Sequence, residues 1–257
     1  MDFRLDIVDK RFRDIKRTII VSGGKGGIGK SLTSSFLAVI LSDLGYKVGL
    51  LDLDLCGPSD HLILGLKNAK PIEDKGIIPP EINGIKFMSI VLYTYNKASV
   101  FRKEDYSNAV VELLSITLWD KIDFLIIDSP PGIENVFLDS IRLIKNPEFI
   151  ILTTQSAIVI ETVKKLLDIL NELNIPILGI IENMKSSESN WVKEQLKEYN
   201  IPFLGEIPVD SGIENSLGNI TELRKTEFYG RLKNITLDLL GSDLENRKGM
   251  PERKVYQ

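Results

Sequence analysis

Six short runs of apolar, largely β-branched residues, at 18–22, 48–51, 85–90, 124–127, 149–152 and 177–181, are each bounded by turn-forming residues. Runs of this length and composition predict buried strands. Between them, segments 32–44, 104–119, 158–173 and 190–199 carry apolar residues at helical spacing. Strands that alternate with helices imply a mainly parallel sheet with helices on both faces, so the predicted fold class is α/β. In such sheets ligands bind beyond the carboxyl ends of the strands, and the residues just after each apolar run are where chemistry is expected.

The first run leads straight into Gly23-Gly24-Lys25-Gly26-Gly27-Ile28-Gly29-Lys30-Ser31 and then into a helical segment. Gly24 to Ser31 satisfy G-x-x-x-x-G-K-S/T with a strand before and a helix after, which is the context this phosphate-binding motif requires. Glycines let main-chain N–H groups turn inward around phosphate oxygens, and the helix N-terminus adds the positive end of its dipole. The expected nucleotide contacts are Gly24, Gly26, Gly27, Ile28, Gly29, Lys30, Ser31 and Leu32. Lys30 would reach the β and γ phosphates, and Ser31 would offer a hydroxyl to Mg²⁺, so ATP and Mg²⁺ are the expected cofactors.

Two further strand ends carry acids. Asp52 and Asp54 stand at i and i+2 before a turn enforced by Gly57 and Pro58, on one face of an extended chain. Asp128 ends the run at 124–127 and is followed by Ser129-Pro130-Pro131-Gly132. A carboxylate there suits Mg²⁺, most simply through a water, although a strand-end acid also suits the cap of a following helix. Asn183, after the run at 177–181, can donate and accept together, as the edge of adenine requires. Pro208 and Asp210 would place an apolar wall and polar groups beside the ring. From spacing alone Asn183 reads rather as a turn residue.

With 257 residues, 43% of them apolar, the chain can bury a full core as one domain, expected over 1–240, with a charged tail at 241–257 that frays. Residues 67–84, rich in proline and glycine, predict a surface excursion or small hairpin. The single cysteine, Cys56, excludes an intrachain disulfide and fits a reducing cytoplasm. Cys56 is expected to be a small buried apolar residue, and the one histidine, His61, to be structural. A formal charge of −4 provides no overall basic field for nucleic acid. No stretch reaches the ~20 apolar residues of a membrane span, so neither DNA nor membrane is an expected partner.

The sequence KGGIGKS resembles the deviant Walker A signature of the ParA, MinD and Mrp superfamily. The phrases DLDLCGPS and DSPPG are similar to the two switch regions of its Mrp branch, and PILGIIENM and PFLGEIPVD to phrases of Mrp and ApbC-type proteins. The similarity runs from about residue 19 to 217, and it implies a P-loop NTPase fold of the MinD/Mrp-like (SIMIBI) type. It further implies an ATPase, slow or stimulated by a partner, that works as a homodimer bridged by ATP. On that resemblance Lys25 reaches the partner's phosphates and Asp54 orients the attacking water, making Lys25, Lys30 and Asp54 the catalytic set. Asp52 supports the metal with Ser31 and Asp128, and Gly132 lets the second switch respond to the γ-phosphate.

One departure stands out. Mrp-type iron–sulfur carriers have C-x-x-C shortly after the ENM phrase, whereas Met184 here is followed by Lys185-Ser186-Ser187-Glu188-Ser189-Asn190-Trp191. A four-iron cluster takes four thiolates, and a dimer of this chain offers two copies of Cys56. The resemblance thus implies a role in iron–sulfur or other metallocofactor assembly through a protein partner that holds the metal. The alternatives are a MinD- or ParA-like positioning switch and a small-molecule kinase or ligase on the same loop.

Overall fold

The computed structural model describes residues 3–67, 69–94, 103–132 and 135–248. Its strands are β1 (Ile15–Gly23), β2 (Val48–Asp52), β3 (Ile72–Glu73), β4 (Ile77–Ile78), β5 (Glu81–Ile82), β6 (Ile85–Ser89), β7 (Ile122–Asp128), β8 (Pro147–Thr153), β9 (Ile177–Lys185) and β10 (Phe203–Pro208). Eight of them form one sheet in the order β10-β9-β8-β1-β7-β2-β6-β5, parallel except for the β5–β6 hairpin at one edge. All six expected strands are present. β3 and β4 pair as a separate antiparallel ribbon, so the excursion at 67–84 is built from two short hairpins.

β10 was not anticipated as a strand, for a physical reason. Only Ile207 in it is fully buried, because it lies at the sheet edge, so it shows no apolar run. Central strands behave oppositely: Leu125, Ile126 and Ile127 of β7 are completely buried.

The expected helices appear as Lys30–Asp43, Lys103–Ile116, Ala157–Glu172 and Trp191–Leu196, the last continued by a 3-10 turn at Lys197–Tyr199. Ala157–Glu172 shows the clearest division of faces, burying Val159, Val163, Leu166 and Leu170 at helical spacing. Two longer helices escaped the sequence reading. Phe3–Phe12 buries Val8 and Phe12 and packs on Lys103–Ile116, despite its charged composition. Glu227–Lys248 lays Phe228 edge-on against Phe36 of the helix after β1, with ring centroids 4.9 Å apart.

The tail boundary expected at Gly241 falls inside this helix, which continues to Lys248; residues 249–257 lie outside the described residues. No helix among the described residues is long and apolar enough to cross a membrane.

Candidate functional site

β1 ends at Gly23 and, after six intervening residues, the helix Lys30–Asp43 begins, so the glycine loop wraps the helix N-terminus at the carboxyl edge of the sheet. Gly29 precedes that helix with φ 90°, and a Cβ there would collide with the Asn183 amide. Both facts require glycine. At Gly24 the limit is contact: a Cβ would stand 2.6 Å from Thr162 Cβ and 2.8 Å from the Val163 nitrogen. Lys25, Gly26 and Gly27 are exposed, Ile28 is buried, and Gly29, Ser31 and Leu32 are half-buried. Lys30 is buried, and its ammonium folds back to donate to the Lys25 carbonyl at 3.2 Å. Burial draws its pKa down, while the charges of Asp128 and Asp54 oppose that shift.

Parallel register brings the acids together. Asp52, at the end of β2, stands directly opposite Asp128 on β7, which itself is opposite Val21 of β1. Both carboxylates are fully buried. Asp128 accepts from Ser31 Oγ at 2.6 Å and from Ser34 Oγ at 3.1 Å. Asp52 accepts from the Asp54 N–H at 3.0 Å and, at 3.4 Å, from Ser89 Oγ. Asp54 is half-buried, and its Oδ1 accepts from the N–H groups of Cys56 and Gly57 at 3.2 and 3.0 Å, which fixes the turn. Ser31, Asp52 and Asp128 present hard oxygen donors only, the set that suits Mg²⁺. Cys56, expected to be buried, is exposed, with Sγ 3.0 Å from the Tyr106 hydroxyl.

On the other side of β1, β9 delivers Asn183. It is buried, and its amide nitrogen donates to the Ile28 carbonyl at 2.9 Å, so this side chain braces the phosphate loop. Pro208 and Asp210 are half-buried at and just past the end of β10. The Asp210 carboxylate accepts from Gly212 N–H at 2.8 Å and from Phe228 N–H at 2.9 Å, tying the end of β10 to the last helix. Strand order therefore sets the phosphate loop in the middle, with the acids toward β7 and β2 and Asn183, Pro208 and Asp210 toward β9 and β10.

Asn183→Ala is expected to strip the buried Ile28 carbonyl of its partner, costing about 1–3 kcal/mol of stability and weakening nucleotide binding. Urea unfolding and nucleotide titration check this; a variant equal to wild type in both would contradict the bracing role.

The ParA family model, described as NUBPL iron-transfer P-loop NTPase, matches residues 14–237. The chain belongs to this P-loop NTPase family. It is 38% identical over 198 residues to an iron–sulfur cluster carrier protein of Rickettsia felis, covering 76% of this chain and 62% of that one. A cytosolic Fe–S cluster assembly factor NUBP2 homolog from Dictyostelium discoideum is 35% identical over 246 residues, covering 85% and 92%. The chain thus spans about three fifths of the length of the bacterial carriers it matches. Among solved structures, the Archaeoglobus fulgidus nucleotide-binding protein in complex with ADP superposes with a TM-score of 0.67 at 28% identity, covering 89% of this chain and 92% of that one. The Pyrococcus horikoshii septum site-determining protein MinD, complexed with Mg-ADP, shares the fold with a TM-score of 0.63 at 20% identity, covering 91% and 97%.

One residue of this P-loop NTPase site was not singled out from sequence. Asp60, just after the GPS turn, is fully buried beside Asp52 and Asp128. An acid followed by His61 directly after a Gly-Pro turn was the available signal, but nothing in the spacing tells which way the chain returns. His61 itself is buried, consistent with a structural part.

Burial pushes all three carboxyls up, with neighbouring carboxylates adding to the rise at Asp52 and Asp60 and Asp54 adding to it at Asp128, which reaches about 6 against 3.8 for an ordinary aspartate. Folded carboxyls with raised values hold protons that the unfolded chain has released, so their contribution is present at low pH and lost as pH rises through the folded values. The melting temperature of the P-loop NTPase without nucleotide or metal is therefore expected to rise as pH falls from 7 to 5, and Asp128→Asn to flatten part of the slope. Thermal scans across that interval check the sign; a steady fall toward pH 5 would contradict it.

Proposed function

We propose that this P-loop NTPase binds Mg-ATP on Gly24–Ser31, hydrolyses it slowly or on stimulation by a partner, and works as an ATP-bridged homodimer in iron–sulfur or other metallocofactor assembly. The observation that carries the reading is the convergence of the Lys30 ammonium, the Ser31 hydroxyl and the buried Asp128 at the mouth of the glycine loop. Lys30 is placed to leave the Lys25 carbonyl for phosphate oxygens, and the loop N–H groups and helix N-terminus supply the rest of the cradle. Ser31, Asp52 and Asp128 would hold Mg²⁺, which when bound neutralises phosphate charge. Asp54, fixed by its own turn, is the carboxylate available to orient a water. The base would lie toward Asn183, Pro208 and Asp210.

Support for a dimer comes from Lys25, which is exposed at the start of the loop and free to extend toward a second chain. A cation supplied in trans stabilises charge in the phosphoryl-transfer transition state, as an arginine finger does. Support for the pathway comes from the names of the curated relatives. With two Cys56 thiols per dimer, against the four thiolates a four-iron cluster takes, the metal is assigned to the partner and the nucleotide switch to this chain.

Size-exclusion chromatography with and without a nonhydrolysable ATP analogue tests the reading. The wild type is expected to shift to a dimer with the analogue. Lys25→Ala is expected to bind the analogue within a few-fold of wild type yet remain monomeric. A wild type that stays monomeric at saturating analogue would contradict the switch.

A further inference from the structure

We propose that the Met184 thioether is a site of reversible oxidation, at which a hydroperoxide converts it to the sulfoxide and so weakens nucleotide binding. The proposal rests on the Mg-ATP reading of the phosphate loop and adds a modification to it.

The backbone sets this side chain against the loop. Successive residues of a strand point to opposite faces, yet Asn183 and Met184 of β9 both reach the residue that precedes the helix Lys30–Asp43. A Cβ on Gly29 would collide with the Asn183 amide and stand 3.8 Å from Met184 Cε. Met184 gets there through a φ of 55°, in the left-handed region. Among the described residues seven other than glycine have positive φ; five are asparagine or aspartate, which tolerate it, and Met184 is the one apolar side chain. A bulky residue stays in that conformation where its surroundings fix it. On one side the Asn183 amide donates to the Ile28 carbonyl, and on the other the Lys185 carbonyl accepts from the Val209 N–H at 3.3 Å. The thioether therefore stands at the mouth of the loop, on the side of β9 and β10 where the base would lie.

Its sulfur is also within reach of solvent. Met184 is 42% exposed, whereas Met88 is fully buried; Met1 and Met250 lie outside the described residues. Oxidation follows access, so of these two Met184 is the one open to a peroxide. With hydrogen peroxide, a sulfur lone pair attacks one oxygen and an S–O bond forms as the O–O bond breaks. The departing hydroxide takes the proton of the transferred oxygen and leaves as water; sulfur loses two electrons and the peroxide gains them.

The product changes what the loop meets. A flexible apolar side chain becomes a polar one. Its new oxygen carries partial negative charge, which repels phosphate oxygens and competes with them for the main-chain N–H groups at the helix N-terminus.

The test uses the full chain carrying Cys56→Ser, so that the exposed thiol takes no part while the main-chain N–H that Asp54 accepts is kept. Hydrogen peroxide is added, peptides are read by mass spectrometry, and affinity is read by titration with a fluorescent ATP analogue and Mg²⁺. Met184 is expected to gain one oxygen atom well before Met88, and affinity to fall by at least about fivefold, the scale of losing a methionine contact. Methionine sulfoxide reductases acting on both epimers should restore it. Met184→Leu, apolar and of similar volume, should show no fall from its own starting affinity. Full conversion of Met184 with unchanged affinity overturns the proposal, as does an equal fall in Met184→Leu or a Met184 that resists peroxide able to oxidise free methionine. Absence of analogue binding before any peroxide is added overturns the nucleotide reading instead.

Discussion

Lys30→Ala is expected to abolish measurable ATP binding, lowering affinity by about 100-fold or more, which is about 2.7 kcal/mol. The size follows from the site. A buried ammonium whose one hydrogen bond among the described residues goes to the Lys25 carbonyl is held where phosphate oxygens would meet the loop N–H groups. Charge-assisted hydrogen bonds to phosphate in a pocket poor in water are the strong kind. Alanine would also leave Asp128 without its nearby cation. Lys30→Arg serves as the companion variant, since it keeps the charge but not the compact shape, and it too should bind poorly. Equilibrium titration with a fluorescent analogue checks both, and wild-type affinity in Lys30→Ala would contradict the loop assignment.

Asp54→Ala is expected to act on turnover instead. ATP should bind within a few-fold of wild type, kcat should fall by about 100-fold or more, and the ATP-bound dimer should accumulate on sizing. Alanine removes the acceptor that holds the Cys56 and Gly57 N–H groups, so a loosened turn is a competing cause of slow hydrolysis. Asp54→Asn separates the two, because its carbonyl oxygen can keep both hydrogen bonds while losing the charge. Hydrolysis that stays slow in Asp54→Asn, by phosphate release, supports a carboxylate acting on water; recovery to the wild-type rate would assign Asp54 to the turn alone.

The sequence displays what local pattern encodes. Strands buried on both faces, such as β7 with Leu125 to Ile127, show as unbroken apolar runs, and the loop from Gly24 to Ser31 is continuous in the chain. The parallel register that sets Asp52 opposite Asp128 follows from the fold class once both strand ends carry an acid. Long-range returns are less visible. β10 hides because an edge strand need not be apolar, and Phe3–Phe12 hides because two buried residues suffice to dock a charged helix.

Asp60 and Asn183 are the instructive pair. Asp60 reaches the acids through a turn whose direction no spacing reveals. Asn183 was visible as a strand-end amide, yet only the folded chain brings it against Ile28, where it supports the loop.

The central claim is that the glycine loop and its acids form a polyphosphate and magnesium site. Isothermal calorimetry of folded wild-type protein with ATP and Mg²⁺ tests it most directly. The account predicts a saturable isotherm with one nucleotide per chain, lost in Lys30→Ala. Absence of binding with every purine triphosphate tried, metal present, would contradict it.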